Sequence, residues 1–299
     1  MGVLEGRVVV VTGGGRGLGR EYALLAAAEG ARVVVNDLGA GPDGAGADEG
    51  AAASVAREIA ATGGEAVANT DDVADWAGAK RLVDQALEHF GRLDGLVLNA
   101  GILRDRMLVN LSEEDWDEVV RVHLKGHVAP LHHAAAHWRA EAKAGRTPDA
   151  AVVTTTSTSG LLGNPGQANY GAAKAGIAAL TVIAARELVR YGVRVNSVAP
   201  AARTRLTEQT PGLTDIVRPP ADPEAFDVWD PANVAPLVVA LVAPGSRVSG
   251  QVFFVQGGTV RLFQPWTMTE TLAKEGRWSV GELLEALPGL AGADPGVPS

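Results

Sequence analysis

The stretch VVVVTGGGRGLGR, residues 8 to 20, narrows the possible folds more than any other part of the chain. A β-branched run reads as a buried strand, a glycine-rich turn follows it, and a helix-length segment opens directly after. Glycines at such a turn let the backbone bend tightly and approach a pyrophosphate, whose charge sits at the helix N-terminus. Gly13, Arg16, Gly17, Leu18 and Gly19 are therefore candidate cofactor-binding residues.

Six further short runs follow: ARVVVND (31–37), EAVANT (65–70), GLVLN (95–99), AAVVTTT (150–156), VRVNSVAP (193–200) and QVFFVQ (251–256). Continuous apolar runs suit strands buried on both faces, and the intervals between them have room for crossover helices. Helical stretches are expected over 17–29, 51–61, 75–90, 112–143, 169–191, 231–242 and 279–287. The pattern predicts an α/β fold: one doubly wound Rossmann domain, about seven parallel strands, helices on both faces. That domain is expected over 1–260, with a lid over a site at 203–230, where prolines interrupt any period. Residues 261–299 form a C-terminal extension whose end, GLAGADPGVPS, is expected to fray. The Gly-rich, acidic segment GAGPDGAGADEG (39–50) is expected to be a mobile surface loop.

Composition removes several function classes. A formal charge of -9 argues against a nucleic-acid surface, which needs Lys and Arg to neutralise phosphates. With no cysteine there is no disulfide framework, thiolate metal site or cysteine nucleophile. The apolar run near the N-terminus is too short for a signal peptide or a membrane span, so a cytoplasmic protein with no membrane partner is expected.

Asp37 closes the second run about twenty residues past the glycines, where an acid accepts hydrogen bonds from adenosine ribose hydroxyls. A carboxylate there repels a 2′-phosphate, so NAD is expected over NADP, although Arg16 pulls the other way. Asp71 and Asp72, at the end of the third run, are candidates to meet the adenine amino group. Asn99, at the end of the fourth run, and Pro200, at the end of the sixth, complete the set. Strand-end capping explains the polar ones equally well.

In GQANYGAAKAG (166–176), Tyr170 and Lys174 stand four apart and share one helix face. Alone, that is a common Tyr–Lys surface pair. Beside a dinucleotide site it has a use, because oxidising an alcohol needs a base near the hydroxyl and a fixed hydride acceptor. A free phenol, with a pKa of about 10, is a poor base at neutral pH, and an ammonium one turn away is expected to lower it.

TGGGRGLG, NAG (99–101), the region of Ser157, and Tyr170-x-x-x-Lys174, in that order, resemble the short-chain dehydrogenase/reductase family over about residues 5–260. VVVNDLG, AGILRDR, DWDEVVRVHLKG and GNPGQANYGAAK are most similar to its (3R)-hydroxyacyl-CoA dehydrogenase group, found in peroxisomal multifunctional enzymes of type 2 and bacterial relatives. The resemblance implies that Lys174 also holds the nicotinamide ribose. It implies that Ser157, thirteen residues before Tyr170, hydrogen-bonds the substrate oxygen. His123 stands where many members place an asparagine that supports a water relay to the lysine. The implied reaction is oxidation of a (3R)-3-hydroxyacyl-CoA in fatty-acid or steroid side-chain β-oxidation. A hydroxysteroid dehydrogenase or a 3-oxoacyl-carrier-protein-type ketoreductase would share these residues, and a non-catalytic NAD-binding module would keep only the glycines. Family members pair through the two long helices, so a homodimer or homotetramer is expected.

Five of the six histidines fall between 123 and 137, with i,i+4 pairs at 123/127 and 133/137. No third ligand accompanies them, so no metal site is expected. Arg104 and Arg106 fit either a solvated charge cluster or contacts to a CoA phosphate, and Arg203 and Arg205 are equally ambiguous.

Overall fold

In the computed structural model, which describes residues 2–46, 50–208, 214–222, 224–264 and 266–290, each of these runs is a strand. They are β1 (Val8–Thr12), β2 (Arg32–Asn36), β3 (Glu65–Asn69), β4 (Gly95–Leu98), β5 (Ala150–Thr155), β6 (Val193–Pro200) and β7 (Val252–Gln256). All seven pair in parallel, in the order β3-β2-β1-β4-β5-β6-β7. An eighth strand, β8 (Thr259–Phe263), runs antiparallel beside β7 and makes the far edge. The expectation of about seven strands falls short by this one. Gly257, at φ +51, and Gly258 turn the chain back in a two-residue hairpin, so TVRLF extends the sheet past the expected domain end.

The crossovers are α1 (Gly17–Ala28), α2 (Gly50–Ala61), α3 (Trp76–Phe90), α4 (Glu113–Val120) continued by α5 (Gly126–Lys143), α6 (Thr158–Leu161) with α7 (Ala168–Leu188), and α8 (Arg205–Glu208) with α9 (Ala235–Val242); α10 (Val280–Leu290) lies in the extension. Alternation along each strand supplies both faces of the sheet. Val9, Val11, Val33 and Val35 pack with Tyr22, Val55, Ile59 and Val238 from α1, α2 and α9. Val8, Val10, Val34, Leu96 and Leu98 pack on the other face with Leu82, Phe90, Trp138 and Leu188 from α3, α5 and α7. Each such side chain contributes about 1.5–3 kcal/mol on burial, which is why the runs show no polar alternation.

Local signals set the ends of elements. Asp75 caps α3 by accepting from the Gly78 N–H at 2.8 Å, and Gly91, at φ 77, ends it in the left-handed conformation. Ser112 caps α4 by accepting from the Asp115 N–H. The segment read as one helix over 112–143 contains a π turn at Arg121–Lys125, between α4 and α5. Strand order reverses between β1 and β4, which opens a crevice at their carboxyl ends, the usual ligand position in such sheets. Among the described residues no helix is long and apolar enough to cross a membrane.

Candidate active site

The crevice is a cleft lined by the glycine turn, the end of β2 and the turn after β4. Gly13, Arg16, Gly17, Leu18, Asp37, Asp71, Asp72 and Asn99 all line it. The glycines are required by space. A Cβ on Gly19 would lie 2.0 Å from the Gly13 carbonyl oxygen, and one on Gly13 would lie 2.9 Å from the Ala100 Cα. Gly17, at φ +51, has nothing closer than Thr204 at 3.8 Å, so the backbone there faces open cleft. Arg16 stands at the N-cap of α1 without a side-chain cap, and the first turn holds no acid. An uncapped twelve-residue helix opening onto a glycine cradle fits the pyrophosphate of a dinucleotide.

Asp37 accepts from the Gly15 N–H at 2.9 Å through Oδ2 and from the Gly39 N–H at 2.7 Å through Oδ1, which fixes its carboxylate at the rim of the cradle. The Asn99 amide donates to the Thr12 and Gly13 carbonyls and so fastens the turn to β4. Asp71 accepts from Arg81 and Asn69. Asp72 accepts from Arg121 and from the Ala74 N–H, as a strand-end cap does. Pro200 closes β6 beside Val255 and is not among the cleft walls, whereas Thr204 is.

The segment expected to be a mobile loop is docked over this cleft. The Leu103 N–H donates to the Pro42 carbonyl at 2.9 Å, Arg104 Nε donates to the Asp43 carbonyl at 3.0 Å, and Gly41, Pro42 and Gly44 become cleft walls. Its backbone carbonyls do the binding, which composition does not reveal. Residues 47–49 lie outside the described residues, as do the final residues expected to fray, 291–299.

Ser157, Tyr170 and Lys174 are gathered where β5 ends and α7 begins. Ser157 caps α6, its Oγ accepting from the Ser159 N–H at 3.2 Å. Lys174 is buried and donates from Nζ to the Thr155 carbonyl at 2.6 Å. The Thr156 hydroxyl donates to the Lys174 carbonyl at 2.7 Å, so the last residue of β5 and the one after it grip the lysine at both ends. A Cβ on Gly160 would lie 2.5 Å from the Ala175 nitrogen. Close packing of α6 on α7 within the chain thus accounts for some of the small residues in this region. Burial brings the Lys174 ammonium down to about 7. Burial also pushes the Tyr170 phenol up to about 12, with the Ser157 hydroxyl opposing that rise and the Asp105 carboxylate adding to it. The net shift of the phenol in the protein itself is upward because desolvation is the largest effect.

His123 sits in the π turn, buried, with its ring edge-on to Tyr170 at 5.1 Å between centroids. Its Nε2 lies 2.7 Å from the Ile102 carbonyl oxygen and 3.1 Å from the Ile102 nitrogen. A Cβ on Gly101 would lie 2.2 Å from its Cε1, so the glycine after Asn99–Ala100 makes room for this ring. Burial holds His123 neutral, well below the usual imidazole range, and brings His127 to about 3. Among the described residues no group of three or more His, Asp or Glu side chains is placed to hold a metal ion.

Arg104 pairs with Glu114 and lies near Asp115, and Arg106 lies 3.9 Å from Asp115, as in a charge cluster. Arg203 donates to Asp227 and to the Val217 carbonyl, and its own N–H reaches the Trp229 carbonyl. It ties the described part of 203–230 together; residues 209–213 and 223, and the side chain of Arg205, lie outside the described residues. Sequence reasoning missed Ile102, Arg121 and the 40–44 walls, and the hydrophobic residue after Asn99–Ala100–Gly101 was the available signal for the first.

A glycine cradle at the switch point of a doubly wound sheet, with a phenol and an ammonium on the helix that follows β5, fits an NAD(P)-dependent oxidoreductase. The model of the short chain dehydrogenase family matches residues 7–212, and the chain belongs to that family. Hydroxyacyl-CoA dehydrogenase ChsB1 of Mycobacterium tuberculosis is 44% identical, over 98% of this chain and 91% of its own length. Peroxisomal multifunctional enzyme type 2 of Mus musculus is also 44% identical over 86% of this chain, which spans 32% of that longer protein. The crystal structure of a short chain dehydrogenase from Mycobacterium avium superposes with a TM-score of 0.86 at 50% identity, covering 97% of this chain and 95% of that one.

Proposed function

We propose that the chain oxidises the 3-hydroxyl of a (3R)-3-hydroxyacyl-CoA with NAD, as in fatty-acid or steroid side-chain β-oxidation. The observation that carries the reaction type is the convergence of Ser157, Tyr170 and Lys174 at the ends of β5 and α7. The Ser157 hydroxyl donates to the substrate oxygen, the Tyr170 phenolate takes the hydroxyl proton, and the Lys174 ammonium favours the phenolate once it forms. Gly13, Arg16, Gly17, Leu18, Gly19 and Asp37 hold the dinucleotide, which supplies the hydride acceptor when bound. The Asp37 carboxylate favours the free 2′-hydroxyl of NAD over the phosphate of NADP.

An acyl substrate is supported by the relatives named hydroxyacyl-CoA dehydrogenases and by apolar side chains near the triad. Met107, Leu108 and Val109, after the β4 turn, are 57%, 70% and 90% exposed, and Leu162, just past the end of α6, is 53% exposed. Such surface suits an acyl chain better than a small polar alcohol. Assembly as a homodimer or homotetramer belongs to the same reading, with Leu131, Leu180 and Ile183 in a groove between α5 and α7 as the docking face.

The test is the initial rate of NADH formation from (3R)- and (3S)-3-hydroxyacyl-CoAs and free hydroxysteroids, with NADP in parallel. Turnover of the (3R) thioesters with NAD is the expected result. Turnover confined to free steroids, or to NADP, would refute it.

A further inference from the structure

The glycine-rich segment after β2 is built as a closed turn rather than as free chain. The Gly41 N–H donates to the Ala45 carbonyl at 2.7 Å, the Gly44 N–H donates to the Gly41 carbonyl at 3.0 Å, and Asp43 Oδ1 accepts from the Ala45 N–H at 3.0 Å. This turn reaches across the crevice, and both walls hold it. On the β2 side the Gly39 N–H donates to Asp37 at 2.7 Å, and Arg16 donates to the Ala40 carbonyl at 3.4 Å. On the β4 side the Leu103 N–H donates to the Pro42 carbonyl at 2.9 Å and Arg104 Nε donates to the Asp43 carbonyl at 3.0 Å. Gly44, at φ +88, lies against Ile102, so close that a Cβ would come within 3.1 Å of Ile102 Cδ1. Ala40, Gly41, Pro42 and Gly44 line the same crevice as the glycine cradle.

Arg104 supplies a side-chain tie between this turn and the β4 wall, and its backbone is anchored separately. Its carbonyl accepts from Nδ2 of Asn169, fully buried on α7, at 3.0 Å. The guanidinium can therefore let go of Asp43 while the loop after β4 stays in place. Its other partners are Glu114, at 3.1 Å, and Asp115, at 3.8 Å. Glu114 is 84% exposed, and a pair so open to solvent does little to hold anything. The bond to the Asp43 carbonyl has one ionised partner and joins two walls of the crevice, which gives it a use.

We propose that Arg104 is a positioning residue that latches the 40–44 turn across the crevice, so that bound NAD or NADH leaves only when the latch opens. The dinucleotide lies between the glycine cradle and the turn, with the turn as its cover. Backbone carbonyls and apolar atoms form that cover, so it retains the cofactor by closing the way out rather than by pairing with its charges.

The inference rests on the reading of the crevice as the dinucleotide site, and the experiment separates the two. Enzyme loaded with NADH is mixed with excess NAD in a stopped-flow instrument, and the loss of bound-NADH fluorescence is followed for the full chain, R104M, E114Q and G44A. R104M keeps the length of the side chain and removes every donor. Its rate constant for NADH release should rise about three- to tenfold, with NADH affinity weakened to match. E114Q breaks the exposed ion pair and leaves the latch, so its release stays at the wild-type rate. G44A sets a Cβ against Ile102 at a φ that L residues rarely adopt, lifts the turn without touching Arg104, and speeds release in the same sense. An R104M release rate equal to wild type overturns the inference, whether or not kcat falls, because Arg104 then only shapes its own loop. Release in E114Q as fast as in R104M also overturns it. Should R104M fail to fold, a G44A release rate at the wild-type value overturns it instead. A wild-type chain that binds no NADH removes the reading of the crevice itself, a failure distinct from unchanged release in the variants.

Discussion

The Lys174 ammonium nitrogen lies 5.5 Å from the centroid of the Tyr170 ring and 2.6 Å from the Thr155 carbonyl oxygen, buried on all sides. A single backbone acceptor does not replace the water a cation loses, and burial brings Lys174 down to about 7. Its folded value is below the unfolded one, so between pH 7 and about 10.5 the unfolded chain binds more protons and stability rises with pH. On the proposed mechanism the lysine is held for chemistry at a cost to folding. Lys174→Met should therefore unfold at higher denaturant concentration at pH 7, by about 1–3 kcal/mol, while losing turnover. Urea melts and rates on the same preparation check this. A destabilised K174M would mean that the Thr155 contact outweighs the desolvation.

The two buried histidines give a second pH effect, of the same sign but in acid. Burial depresses His123 far below the usual imidazole range and His127 to about 3. From pH 6.5 downward the unfolded chain takes up protons that the folded one refuses, so stability falls as pH falls. Each histidine contributes about 1.4 kcal/mol per pH unit. His127→Gln should flatten the urea midpoint against pH between 7 and 5 by that amount. An unchanged slope would place the acid sensitivity elsewhere.

The proposed preference for NAD rests on Asp37. Its two oxygens accept from Gly15 and Gly39, so Asp37→Asn keeps one acceptor while removing the charge. The ratio of kcat/KM for NADP to that for NAD should rise about tenfold or more. A ratio that does not move would assign the preference to the docked 40–44 segment.

The parts of this molecule that were legible in the sequence are those whose physics is local. Strands buried on both faces must be continuous apolar runs, so β1 to β7 stood out, and the glycine cradle and the Tyr170–Lys174 spacing follow from short-range geometry. β8 did not, because an edge strand with Val260 and Leu262 half exposed carries no buried run and follows a Gly–Gly pair that reads as a loop. The π turn has the composition of an ordinary helix, and only the packing of His123 against Gly101 gives it away. The 39–46 segment docks through the Pro42 and Asp43 carbonyls, which every residue type carries, so its composition reads as a free loop. Arg203 carries a charge that suits a ligand equally well, and only its pairing with Asp227 across the 203–230 segment shows how it is used.

The most direct test of the account is Tyr170→Phe, which deletes one oxygen from a side chain whose ring still packs on His123. NADH formation should fall by about 10²–10⁴-fold or more while NAD binding, followed by calorimetry, stays within a few fold of wild type. Turnover close to wild type would show that the phenol is not the base, and the mechanism drawn from Ser157, Tyr170 and Lys174 would have to be abandoned.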